Sequence, residues 1–275
     1  MSARASGTYD FSLDSVVRAA QTKGALVVAS LAIAILEVPG KVTRFFQSLF
    51  CKTFLASKTL STPSCTTSLH QALLASGADP SKFGTGCAKS LDALLKELQE
   101  GSSRLEYGAN GRLCRCVDPV FVEVNFQGKV LVEKSQIMED GRVRHRDFLL
   151  AEKRDSHDGS VLTTVFRGFK EELGVDFGDH CPSDGSLAYR EDLYKVVFEE
   201  KDSASYPGLP CIYRTHYVRM DISGGVALDL FSAAGLPGCT AFETTEKTQR
   251  HQWEWVDKDV ARNRGVKGLL PNIVT

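Results

Sequence analysis

The chemistry of this chain is concentrated in one short run, Arg167-Gly168-Phe169-Lys170-Glu171-Glu172-Leu173-Gly174-Val175, which sets an arginine four residues ahead of two adjacent carboxylates. On a helix, positions three and four apart are neighbours, so residues 168, 171 and 172 share one face. Acidic side chains on that face make a compact cluster of oxygens of the kind that suits Mg²⁺ or Mn²⁺. Hard cations of this kind bridge and neutralise phosphate oxygens. The same residues also fit a solvated helix face with an Arg167–Glu171 ion pair at i,i+4.

The element that must position them is well punctuated. Ser160 is a natural N-cap, Val161, Val165, Phe169 and Leu173 recur at four-residue intervals, and Gly174 supplies the C′ residue, so the pattern predicts a helix over 160–173. Ahead of it, Cys116 to Phe126 alternates in polarity, Asn125 to Gly128 reads as a turn and Lys129 to Glu133 resumes the alternation, which predicts a β-hairpin. Glu139 to Arg142 makes a further turn before the run Arg142 to Arg146. Strands are expected at Leu193–Phe198, Cys211–Met220 and Gln252–Val256, and a short last helix at Asp257–Asn263. Upstream, Leu91, Leu94, Leu95 and Leu98 form an apolar stripe between Ser90 and Gly101, which predicts another helix. No internal repeat is visible.

The run from Arg167 to Val175 resembles the Nudix box, whose core is Arg-Glu-apolar-x-Glu-Glu-x-Gly-apolar. Arg167, Phe169, Glu171, Glu172, Gly174 and Val175 match it. Gly168 stands where that family has a metal-binding glutamate that can also serve as base. Counting back by the family's spacing, Gly159 holds the upstream glutamate position and Lys153 the leading glycine position, so the helix half of the box carries the resemblance. Downstream, Thr240 to Val256 resembles the closing strand of Nudix domains, where one more acidic ligand is often placed. Glu243 is the first candidate, with Glu246 and Glu254 beside it. The stretch Ser205 to Pro210, leading to Tyr213 and His216, is similar to a eukaryotic Nudix-like branch in which the Arg-Gly form of the helix recurs. The resemblance covers roughly residues 90 to 260.

What it implies is an α/β fold of the α+β sandwich type: a mixed β-sheet flanked by helices over residues 90–275, preceded by a helical extension over 1–89. It also implies a hydrolase that cleaves a diphosphate linkage in a small, nucleoside-diphosphate-like substrate with Mg²⁺ or Mn²⁺. Glu171, Glu172 and Arg167 would be the catalytic residues, with Glu171, Glu172 and Glu243 on the metal and Arg167 orienting the carboxylates. A homodimer is compatible with that reading. The alternative is a Nudix-fold module that binds a phosphorylated ligand or a partner protein without hydrolysis, motivated by the two absent glutamates. A third reading is a structural domain whose cleft is filled by the N-terminal helices.

Gly168 costs a helix about 1 kcal/mol relative to alanine, so a reason other than helix stability is expected: close packing, room for a water or ligand group, or decay of an inactive site. His145, His157, His180, His216 and His251 show no metal-ligand spacing and read as surface or core histidines. His157, with Asp155 and Asp158 in the loop entering the helix, is where a replacement base is expected first. Arg142, Arg144, Arg146, Lys153 and Arg154 read as a basic strand edge or as phosphate contacts. Trp253 and Trp255 alternate on a strand, so they face one side and pack in the core, or stack on a nucleobase.

Lys plus Arg total 33 against 34 for Asp plus Glu, so charge gives no reason to expect nucleic acid as a partner. The 8 cysteines are scattered without zinc-knuckle spacing and read as reduced apolar residues. The apolar run Ala25–Leu36 is short of the roughly 20 residues a membrane span needs. Val38 to Ala78 has no acidic residue, and Lys41, Arg44, Lys52 and Lys58 lie among Ser and Thr, as in a plastid or mitochondrial leader. Against a leader, Val42, Phe45, Phe46, Leu49 and Phe50 fall at the spacing of an amphipathic helix packed on a domain. Without a leader, a soluble cytoplasmic protein is the default.

Overall fold

Alternation of apolar side chains sets the sheet, and helices pack on both of its faces. The structure, a computed structural model, describes residues 59–269 apart from 87, 109–110, 204 and 236–240. These residues belong to a compact unit spanning Lys58–Thr275, separate from Met1–Ser57. The apolar run at 25–36 and the expected amphipathic helix at 42–50 lie outside the described residues. Among the described residues no helix is long and apolar enough to cross a membrane.

The order is α1 (Thr66–Ala75), α2 (Leu91–Gln99), β1 (Arg104–Tyr107), β2 (Leu113–Val117), β3 (Pro119–Phe126), β4 (Lys129–Ile137), β5 (Val143–Phe148), β6 (Leu150–Lys153), α3 (Val161–Leu173), β7 (Leu187–Tyr189), β8 (Lys195–Asp202), β9 (Pro210–Ile222), α4 (Gly225–Ala234), β10 (Phe242–Glu246), β11 (Gln249–Asp257) and α5 (Lys258–Asn263). The strands pair in the order β1-β2-β9-β3-β4-β11-β10, with β5 on β4, β6 on β3, and β7 and β8 on β9. β9 runs parallel to β2 and β3, while its partners β7 and β8 are antiparallel. The fold is therefore α+β, with a mixed sheet flanked by helices.

The expected hairpin forms, and Gln127 and Gly128 both take positive φ, as a two-residue primed turn requires. Its ladder is short, however: only Asn125↔Val130 and Phe126↔Lys129 pair before the strands part. β3 then pairs with β6 and β9, and β4 with β11 and β5. The expected Cys116–Phe126 strand is divided at Asp118, whose carboxylate accepts from Arg104 and Arg214.

Strand alternation sorts the side chains into layers. Val120, Val122 and Val124 of β3, Leu131 of β4, Leu150 of β6 and Trp253 of β11 meet Val165, Phe169 and Leu173 of α3 and Phe231 of α4 in the principal core. The opposite face buries Val130, Val132, Leu149 and Val256 with Ala261 of α5. A further core joins Leu69 and Leu73 of α1 to Leu94 and Leu98 of α2 and to Leu105, Leu113, Tyr206 and Leu209. Trp255 also borders the principal core, so both tryptophans face the same side of the sheet as their spacing predicts.

Candidate functional site

α3 begins and ends as its sequence dictates. The Ser160 hydroxyl accepts from Thr163 N–H, and Gly174 closes the helix at φ 71°. Asp158, in the loop before it, accepts from the Thr164 hydroxyl at 2.8 Å and from Arg167 at 2.9 Å. The far end is tied to β10, where the Thr244 hydroxyl donates to the Glu172 carbonyl at 2.5 Å and accepts from Trp253 Nε1 at 2.8 Å. The helix is thereby held at both ends against the sheet.

Beyond the principal core, the same inward-facing strand positions change from apolar to ionisable. Leu131 is followed two residues on by Glu133, Leu150 by Glu152 and Thr244 by Glu246, while His251 precedes Trp253 by two. Because side chains on one strand face repeat every second residue, Glu133, Glu246 and His251 come together under the C-terminal half of α3, where Glu172 points at the sheet, and Glu152 lies close enough for its charge to act on Glu172. Donor atoms of Glu133, Glu172 and His251, all buried, lie within 4.8 Å of one another. His251 Nδ1 is 2.7 Å from Glu133 Oε1 and 4.0 Å from Glu172 Oε2, and its Nε2 is 3.7 Å from Glu246 Oε2. The other oxygen of Glu133 takes Arg146 Nε at 2.9 Å.

Burial pushes the Glu172 carboxyl well above the usual carboxylate range, and the charges of Glu133, Glu152 and Glu246 push it further, against Arg146. Burial likewise raises Glu152, with Arg167 opposing and Glu171 adding to the rise. A site crowded with carboxylates and short of positive charge suits a divalent cation. His251 Nε2 is buried without a hydrogen-bond partner beside them, so the residues present fit such an ion.

Gly168 and Glu172 face the sheet, whereas Glu171 is exposed on the helix. Arg167 reaches the Lys153 carbonyl at 2.7 Å and the carboxylates of Glu152, at 3.2 Å, and Asp155 and Asp158. Glu243 points away from α3 and pairs with exposed Arg250 at 3.2 Å, because it alternates with Thr244; Glu246, on the inward parity, is the residue of β10 that reaches the cluster. Glu254 pairs with Arg264 at 2.8 Å, away from the cluster. His157 is exposed beside Asp155.

Glu133 and Glu152 are the residues that motif reasoning misses, and His251 is one it sets aside. The signal that could have found them is an acidic or imidazole side chain at an inward register position of an otherwise apolar strand. Of the basic run, Arg146 serves Glu133 and stacks over the Phe148 ring at 4.4 Å, Arg142 pairs with Asp140, and Arg154 donates to the Asp158 carbonyl. Cys65, Cys114, Cys116, Cys181 and Cys211 are free thiols.

No protein-family model matches the chain, and no curated protein is significantly similar to it. Solved structures that it is similar to include a Nudix hydrolase from Nitrosomonas europaea, at 13% identity over 56% of this chain and 81% of that one, with a TM-score of 0.32. A Nudix hydrolase from M. smegmatis is 16% identical over 58% and 83%, with a TM-score of 0.28. The C. elegans Ap4A hydrolase is 12% identical over 54% and 83%, with a TM-score of 0.25.

Proposed function

We propose that this protein is a divalent-cation-dependent hydrolase of a diphosphate linkage in a small, nucleoside-diphosphate-like substrate. The observation that carries the reading is the concentration of buried and half-buried carboxylates at the end of α3, where Glu172 lies among Glu133, Glu152 and Glu246 with Arg146 as the opposing cation. Glu172, together with Glu171, would hold Mg²⁺ or Mn²⁺. When bound, the ion supplies charge neutralisation at phosphate oxygens. Glu171, exposed beside buried Glu172, presents its carboxylate to arriving substrate and water. Arg167 keeps α3 in register with β6 and the loop at 155–158, so that the helix presents its carboxylates in one orientation. Thr244, bonded to the Glu172 carbonyl, holds the other end.

The test is Mg²⁺- or Mn²⁺-dependent release of phosphate or nucleotide from a panel of diphosphate-linked compounds. The intact protein is compared with the Glu171→Gln, Glu172→Gln double variant. Turnover that disappears in the variant supports the hydrolase, and retained turnover refutes the role given to these carboxylates. The absence of a carboxylate at both Gly159 and Gly168 favours a second reading, a module that binds a phosphorylated ligand without cleaving it. Binding of such ligands by folded protein without turnover would support that second reading.

A further inference from the structure

Gly168 is the one position of α3 where the helix backbone is bare toward β6. A Cβ placed there would lie 3.4 Å from Glu152 Cβ and 3.8 Å from Glu152 Cγ, with Leu150 next at 3.9 Å. The stem of the Glu152 side chain therefore packs beside the glycine, at van der Waals distance from where a side chain at 168 would begin. Its Oε1 accepts from Arg167 Nη1 at 3.2 Å, one residue back on the same helix, and from the Lys153 backbone N–H at 2.6 Å, which fixes the side chain there.

We propose that Glu152 is a cation ligand of this site, a carboxylate delivered from strand β6 across the bare helix at Gly168 to stand beside Glu172. The proposal rests on the reading of the cluster as a cation site and adds to where its ligands come from: the helix supplies Glu171 and Glu172, and the strands supply others. Gly168 is then the helix position beside which the strand carboxylate enters, since the Glu152 stem is the nearest group to it. A separate observation points to a ligand in the cluster around Glu172. His251 is 1% exposed, its Nε2 has no hydrogen-bond partner, and that nitrogen is turned toward Glu246 at 3.7 Å, too far for a hydrogen bond and spaced for something between them. An imidazole nitrogen in a carboxylate site suits Mn²⁺ better than Mg²⁺, so Mn²⁺ is the probe.

The experiment is Mn²⁺ binding to the full chain by titration calorimetry and by loss of the free-Mn²⁺ electron paramagnetic resonance signal, with no substrate present. The intact protein, Glu152→Gln, Glu172→Gln and the reciprocal pair Glu152→Gly with Gly168→Glu are compared, each checked for native circular dichroism. Glu152→Gln is expected to weaken Mn²⁺ binding at least about tenfold, the low end of what removing even a group that only orients a metal ligand costs. The reciprocal pair, which moves the carboxylate from strand to helix within the same space, is expected to recover most of that affinity. Binding unchanged in Glu152→Gln but lost in Glu172→Gln overturns the role of Glu152 and leaves the cation site standing. No Mn²⁺ binding by the intact protein overturns both.

Discussion

Replacing Glu172 by glutamine is expected to stabilise the cation-free protein while removing its response to Mn²⁺. The substitution keeps the shape of a side chain that is 8% exposed and deletes a charge whose oxygen lies within 4.8 Å of a Glu133 oxygen. Two like charges at that separation, in an effective dielectric of about 20, repel by about 3 kcal/mol. Arg146 offsets part of this, and the folded protein avoids another part by keeping Glu172 protonated above the usual carboxylate range. Glutamine should therefore recover about 1–2 kcal/mol, which for a unit of this size raises the melting midpoint by about 2–8 °C. Mn²⁺ at a hundredfold excess over its Kd should stabilise the unsubstituted protein by about 2.7 kcal/mol, a rise of about 5–11 °C, and leave the variant unmoved. Thermal melts followed by circular dichroism near neutral pH, first in chelator and then in Mn²⁺, measure both shifts. A variant that melts below the parent in chelator, or that gains as much from Mn²⁺, would refute the reasoning.

Burial, with the Arg214 charge adding to it, pushes the His216 imidazole down from 6.5 to about 4. Since the unfolded chain takes up a proton that the folded chain excludes, stability is whole above pH 6.5 and falls by at most about 3 kcal/mol as pH drops toward 4; denaturant melts across that range should show a shallower fall for His216→Gln. Glu97→Gln leaves Arg115, paired with it at 2.5 Å and equally buried, without its carboxylate. A loss of about 3–5 kcal/mol in urea unfolding is expected, and a loss under 1 kcal/mol would show that the pair is dispensable. Phe169→Ala opens the core where Phe166, Phe177 and Phe231 meet, at a cost of about 3–5 kcal/mol by the same assay. An unchanged midpoint would contradict the packing.

Local chemistry carried much of the architecture. Ser160, the four-residue apolar interval and Gly174 determine α3 with its caps, because capping and amphipathic burial act within a few residues. The same holds for α2 between Ser90 and Gly101, and for the turn at Gln127-Gly128. The helix half of the site, Arg167 with Glu171 and Glu172, is legible for the same reason. Two things were not local. The hairpin strands part after two pairs, since β6, through contacts distant in sequence, takes the edge of β3 that β4 leaves.

The other is the identity of the groups that meet Glu172. Periodicity says that Glu133, Glu152, Glu246 and His251 share a strand face with core residues, but only the order in which the strands pair puts those faces under one helix end. Glu243 and Glu246 are alike to a reader of the sequence; the register of β10 on β11 turns one out toward Arg250 and the other in toward His251. Gly168 read alone is an absence. In the folded chain it is where the Glu152 stem packs, because only the packing of β6 on α3 brings that strand side chain against a bare turn of helix.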